Sequence, residues 1–193
     1  MLTFVSILIA AALLNNIALQ HLLGLSPLLA VTRRLRIAIG LAGVVIYLAP
    51  LCGGIAFGLD ELLLVLPGLE HFRYLLLLLC VFALIQLSDK PIRAIAPALA
   101  ESALRFKGLL TMNSLLLATA LLSLEQDAGL PGALLFGLGT GLGFALVLLA
   151  FTAIDARLQV AELPAPLKGL SIQLITLGII SLAFLGFAGL VRP

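Results

Sequence analysis

Few of the 193 residues carry side chains that could react, hold a metal or pass a proton. Cys52 and Cys80 lack C-x-x-C spacing and have no clustered histidine, so they form no zinc or redox motif and read as core residues. His21 could relay protons or bind a metal, but it has no second ligand near it and reads as a polar residue finding a partner. His71 lies in a loop and carries no signal. Gly137, Gly139, Gly141 and Gly143 form two overlapping G-x-x-x-G patterns. Their spacing is neither G-x-G-x-x-G nor that of a phosphate loop, and no lysine follows, so they read as close helix packing. The sequence offers no catalytic residue and no metal-ligand set.

The more telling residues are polar side chains inside apolar runs. Asn15 and Asn16 are adjacent, and Gln20 and His21 follow them. An unpaired amide in hydrocarbon costs several kcal/mol, and two adjacent amides cannot both face one helix neighbour. The run that holds them is about ten residues longer than one membrane span needs. One reading is a helix that breaks near Asn15–Asn16, or near Gly24-Leu25-Ser26-Pro27, with side-chain amides capping the freed backbone groups. The other is hydrogen bonding between ordinary straight helices. Asn113 and Ser114 play the matching part in the fourth run.

These residues must be positioned by membrane helices. Hydrophobic side chains make up 63% of the chain, charged ones 10%, and the mean hydropathy is +1.28. Soluble domains are about 25% charged, so this surface is solvated by lipid. A soluble enzyme, a DNA-binding module and a disulfide-stapled secreted domain are excluded, and a net charge of +2 argues against a nucleic-acid partner. Charge-free runs at 2–32, 37–59, 74–88, 108–124, 128–154 and 169–191 predict six transmembrane helices. None alternates polar and apolar residues as a barrel strand would. Six spans leave room for no extramembrane domain, so residues 1–193 form a single membrane domain. The N-terminus lacks the basic region and cleavage site of a secretory signal, so the first run is expected to be retained.

The loops alternate in charge: +3, −2, +2, −2 and 0, the last counting Asp155, Arg157, Glu162 and Lys168. The positive-inside rule puts loops one, three and five in the cytoplasm and both termini in the periplasm. No acid or base sits deep in a run, so the chain does not look like a self-sufficient pump. The third loop, Asp89 to Lys107, holds Pro91 and Pro97, then Leu99, Ala103 and Phe106 at helical spacing, and is expected along the interface. It divides the chain into repeat 1, about 1–97, and repeat 2, about 98–193. Ser26 sets over Ser114 at an offset of 88, whereas Gly40 sets over Gly137 at an offset of 97. With three helices each, the halves enter the membrane from opposite sides, giving two inverted three-helix repeats whose functional site lies near the midplane at their interface.

Leu14-Asn15-Asn16, Leu22-Leu23-Gly24-Leu25-Ser26-Pro27 and Thr111-Met112-Asn113-Ser114 carry a family resemblance. So do the tail segments Leu163-Pro164-Ala165-Pro166-Leu167-Lys168-Gly169, Ser181 to Phe187 and Gly189-Leu190-Val191. Over essentially its whole length the chain resembles the RnfA (RsxA) subunits of the Rnf complex, with NqrE of the sodium-pumping quinone reductase a more distant relative. The resemblance implies an all-α integral membrane protein of the bacterial inner membrane, a non-catalytic subunit of a translocase. It implies partners in an RnfE-like sister and the other Rnf subunits, in a complex that couples electron transfer to ion movement. It also implies an iron–sulfur cluster shared with the sister, two cysteines coming from each chain. Those positions are Ser26 and Ser114 here. A serine hydroxyl is a much poorer ligand than the usual thiolate, so no normal cluster is expected through this chain. The alternative is a cluster-free paralogue, a small inverted-repeat transporter or an assembly scaffold.

Overall fold

The computed structural model describes residues 2–31, 35–65, 72–95, 97, 107–111, 113–125, 129–162 and 164–188. Every regular element among them is helical. The order is α1 (Leu2–Ile9), a π-helical turn (Ala10–Leu14), α2 (Ile17–Gln20), α3 (Leu25–Val31), α4 (Leu35–Val65), α5 (Arg73–Leu87) and α6 (Asp89–Ile95). After them come α7 (Lys107–Thr111), α8 (Ser114–Ser123), α9 (Gly129–Leu158), a short 3-10 turn (Ala165–Leu167) and α10 (Leu170–Ala188).

Three stretches are long and apolar enough to cross a membrane: Leu35–Leu62, Arg73–Ala94 and Gly129–Leu158. Three shorter apolar ones lie at Val5–Gln20, Gly108–Ser123 and Leu170–Gly186. The third run is completed by its flanks, as its shortness requires, because helix continues past Ser88 into α6. Pro91 is accommodated in the first turn of α6, where its missing N–H breaks no helical bond. The interfacial segment expected at Leu99, Ala103 and Phe106 lies outside the described residues. One boundary needs correction. Counting charges ends the fifth run at residue 154 and puts Asp155 in a loop, but α9 continues to Leu158 and buries Asp155.

The core forms around α9, whose most extensive contact is with α4. The glycines of α9 make that contact possible and serve two neighbours. A methyl on Gly141 would stand 2.9 Å from Ile46 Cα, and Gly137 abuts Ala49 and Pro50 in the same way, so these two admit α4. A methyl on Gly139 would stand 2.8 Å from the Leu8 carbonyl oxygen, and one on Gly143 2.6 Å from that of Ala12. That second pair admits the first helix and its π-helical turn. In lipid, where burial gives no hydrophobic drive between helices, such close backbone approach supplies the dispersion contact that holds them. Beyond these seams, Leu41, Val45 and Leu48 of α4 and Phe144, Leu148 and Phe151 of α9 fill the core with fully buried side chains. Leu78, Leu79 and Phe82 of α5 and Ile179, Leu182 and Leu185 of α10 remain exposed, as a lipid-facing or partner-facing surface requires. At one end, Arg73 Nε lies 2.7 Å from Asp60 Oδ1 and ties the start of α5 to α4.

Candidate functional site

Both regions suspected of breaking do so. The first run breaks twice. After the π-helical turn, Asn15 N–H donates to the Ala10 carbonyl at 2.7 Å, and the chain leaves the helix at Asn15. Asn16, with φ −67° and ψ 101°, restarts it as the N-cap of α2: its Oδ1 accepts from Ala18 N–H at 3.1 Å. The second break follows α2 and passes through the left-handed region at Leu22 (φ 53°) and Gly24 (φ 77°), a conformation glycine adopts without penalty.

In the second half, Asn113 has nearly the same backbone, φ −78° and ψ 103°, and caps α8 through Oδ1, which accepts from Leu115 N–H at 3.0 Å. The like-for-like caps, Asn16 and Asn113, are thus 97 residues apart. That equals the Gly40–Gly137 offset and corrects the offset of 88 that sets Ser26 over Ser114. Ser114 directly follows its cap, whereas Ser26 lies beyond a second break, in the first turn of α3.

The freed backbone groups are satisfied by side chains, as hydrocarbon demands. Asn16 Nδ2 donates to the Ala12 carbonyl at 3.1 Å and Gln20 Nε2 to that of Leu14 at 3.0 Å. Ser181 of α10 donates to the Leu19 carbonyl at 3.2 Å. Asn16 and Asn113 are buried, while Asn15 is exposed, so of the two adjacent amides only Asn16 enters the break. His21 ends α2 and is exposed, and His71 lies outside the described residues.

The two halves meet here. Gly24 N–H donates to Ser114 Oγ at 3.1 Å, across 90 residues of sequence. A methyl on Gly24 would stand 3.0 Å from Phe144 Cε2, 3.3 Å from Asn113 Oδ1 and 3.4 Å from Leu115 Cβ. Asn16 Nδ2 packs against Gly143. Both breaks therefore abut residues 143 and 144, the middle pair of α9. Asn113 Nδ2 is buried there without a partner. Ser26 and Ser114 are both exposed, so the site opens outward from the chain.

The donors at this junction are hydroxyls and amides, and Ser114 Oγ already accepts the Gly24 N–H. Cys52 is buried in α4 and Cys80 half-buried in α5, both as free thiols. The described residues contain no group of three or more His, Cys, Asp or Glu side chains placed to hold a metal ion.

Sequence reasoning missed Asp155. Its Oδ1 accepts from Gln173 Nε2 at 3.2 Å and from Gln159 Nε2 at 3.5 Å, while Oδ2 is buried without a partner. The available signal was Gln173, an amide inside the last apolar run whose polar head must meet another polar group.

Comparison with known proteins agrees with this architecture. A family model described as "Rnf-Nqr subunit, membrane protein" matches residues 4–191. The RnfA chain of the ion-translocating oxidoreductase complex of Pseudoalteromonas atlantica is 36% identical over 192 residues, covering all of both chains. The chain of the same name from Alkalilimnicola ehrlichii is 36% identical over 96% of each chain. That from Vibrio cholerae El Tor is 33% identical over the whole of both.

Proposed function

The chain belongs to the Rnf-Nqr family of membrane subunits, and on that premise we propose that it is the RnfA-type member of an Rnf-type complex that couples electron transfer to ion translocation. It is a multi-pass membrane protein without an active site of its own, and it supplies half of a transmembrane conduit. The other half comes from an RnfE-like sister in the bacterial inner membrane, with both termini of this chain in the periplasm. Six spans in two inverted three-helix repeats, about 1–97 and 98–193, make up its single domain.

One observation carries this reading: the junction of the two broken helices at the middle of α9, with Ser26 and Ser114 exposed beside it. Broken helices place irregular backbone at membrane depth only where a site needs it. The exposure of both serines fits a site completed by a second chain.

The residues present do not fit the iron–sulfur cluster that the resemblance implies. Thiolates are the usual cluster ligands, and both cysteines of this chain lie in other helices, away from the hydroxyl- and amide-lined junction. We infer that the family scaffold is retained here without thiolate ligation from this chain. This donor set also favours the second reading, a cluster-free paralogue acting as a small transporter or assembly scaffold.

Tagging the chain and purifying it from native membranes separates the two readings. The first expects a second Rnf-Nqr family member to co-purify with flavin- and iron–sulfur-binding partners; isolation of the chain alone overturns it. Iron content and electron paramagnetic resonance then test the site. Co-expressed with the sister chain, the Ser26→Cys, Ser114→Cys double variant is expected to gain iron and a cluster signal over the unmodified pair. A full signal in the unmodified protein that persists in Ser26→Ala would refute the assignment.

A further inference from the structure

The carboxylate of Asp155 is 1% exposed, in the last turn of α9, and one of its oxygens is unpartnered. Burying an ionised carboxylate is costly unless a hydrogen bond or a charge compensates it. Here the compensation is one-sided. Gln173 of α10 and Gln159 both donate to Oδ1, at 3.2 and 3.5 Å, and nothing reaches Oδ2.

No arginine or lysine pairs with Asp155 among the described residues; Arg157 and Lys168, the nearest in sequence, are exposed. The position worsens the imbalance. A helix C-terminus carries partial negative charge, which disfavours an anion and favours a cation. Further oxygens are at hand. Thr152, three residues earlier on the same face, is buried, and its hydroxyl donates to the Leu148 carbonyl at 2.7 Å, leaving its own lone pairs free.

We propose that Asp155 Oδ2, with the Thr152 hydroxyl oxygen beside it, holds a small monovalent cation, sodium, at the end of α9. The chemistry selects this class. The donors are hard oxygens, which suit alkali and alkaline-earth ions rather than soft metals. A single carboxylate neutralises a single charge, and the described residues contain no group of three His, Cys, Asp or Glu side chains for a more highly charged ion. The binding stands on the buried carboxylate alone. Only its purpose, an ion taken up at the end of a membrane helix for transport, rests on the proposed membership of an ion-translocating complex.

The test uses the full-length chain purified in detergent and exchanged into choline chloride, with radioactive sodium as the probe in equilibrium dialysis. Saturable binding of one sodium per chain is expected. Asp155→Asn, which keeps the shape and an acceptor for the glutamines, should abolish it. Glu162→Gln, which removes an exposed carboxylate from the following loop, should leave it unchanged. Absence of saturable binding in the wild type overturns the proposal, and so does wild-type binding in Asp155→Asn; a proton on Oδ2 in place of sodium would give the first result. Should Asp155→Asn not fold, Asp155→Glu displaces the carboxylate by one methylene and should weaken sodium binding at least tenfold, whereas equal affinity overturns the site. The iron measurements depend on Ser26 and Ser114, so either idea can fail without the other.

Discussion

Replacing Gly137 with alanine tests whether the α4–α9 seam rests on backbone contact. The added methyl would stand 2.5 Å from the Ala49 carbonyl oxygen, 2.6 Å from Pro50 Cα and 2.8 Å from the Ala49 carbonyl carbon, where ordinary contact begins at 3.4 Å. All three are backbone atoms, so no rotamer change relieves the clash. The helices must part by the better part of an ångström, which forfeits roughly a quarter to a half of each dispersion contact along the seam. Overpacking of this kind costs about 1–3 kcal/mol, and an immovable backbone puts it at the upper end. Helix propensity returns about 1 kcal/mol when alanine replaces glycine. The net loss is about 2 kcal/mol, roughly 30-fold in the folding equilibrium. Gly186 of α10 is the matched control, because a methyl there meets nothing within 4 Å. Gly186→Ala should be neutral or stabilising by up to about 1 kcal/mol. Unfolding of both variants in mixed detergent with increasing dodecyl sulfate, followed by circular dichroism, reads the difference. If Gly137→Ala is as stable as Gly186→Ala, the packing argument for the α9 glycines is wrong.

The caps give a second contrast. Asn16→Ala and Asn113→Ala should each lower stability by about 1 kcal/mol or more in the same assay, because each removes an N-cap inside the membrane, while Asn15→Ala should be near neutral because that side chain is exposed. Equal effects at Asn15 and Asn16 would contradict the placement of the break. For topology, a reporter active only in the cytoplasm and fused after Pro193 should be silent, and strong activity would reverse the orientation drawn from loop charges.

Composition and spacing were enough to establish that the chain is helical and solvated by lipid, because the cost of exposing charge and unpaired backbone to hydrocarbon is additive along the sequence. They also showed where the helices break: amides such as Asn16 and Asn113 inside apolar runs must cap something, and the excess length of the first run left room for the break. The density of glycines on α9 announced close packing. What local sequence could not supply was the partner across space. Asn15 and Asn16 are chemically identical, and only the approach of α9 at Gly143 decides that Asn16 turns inward. Gly137 and Gly139 look equivalent in the sequence, yet one admits α4 and the other α1. The bond from Gly24 to Ser114 spans 90 residues, and no periodicity encodes it. Asp155 is the clearest case. Counting charges treats every aspartate as a reason to end a span, but whether a carboxylate is solvated depends on what packs over it, and Gln173, 18 residues further on, arrives only when α10 folds back against α9.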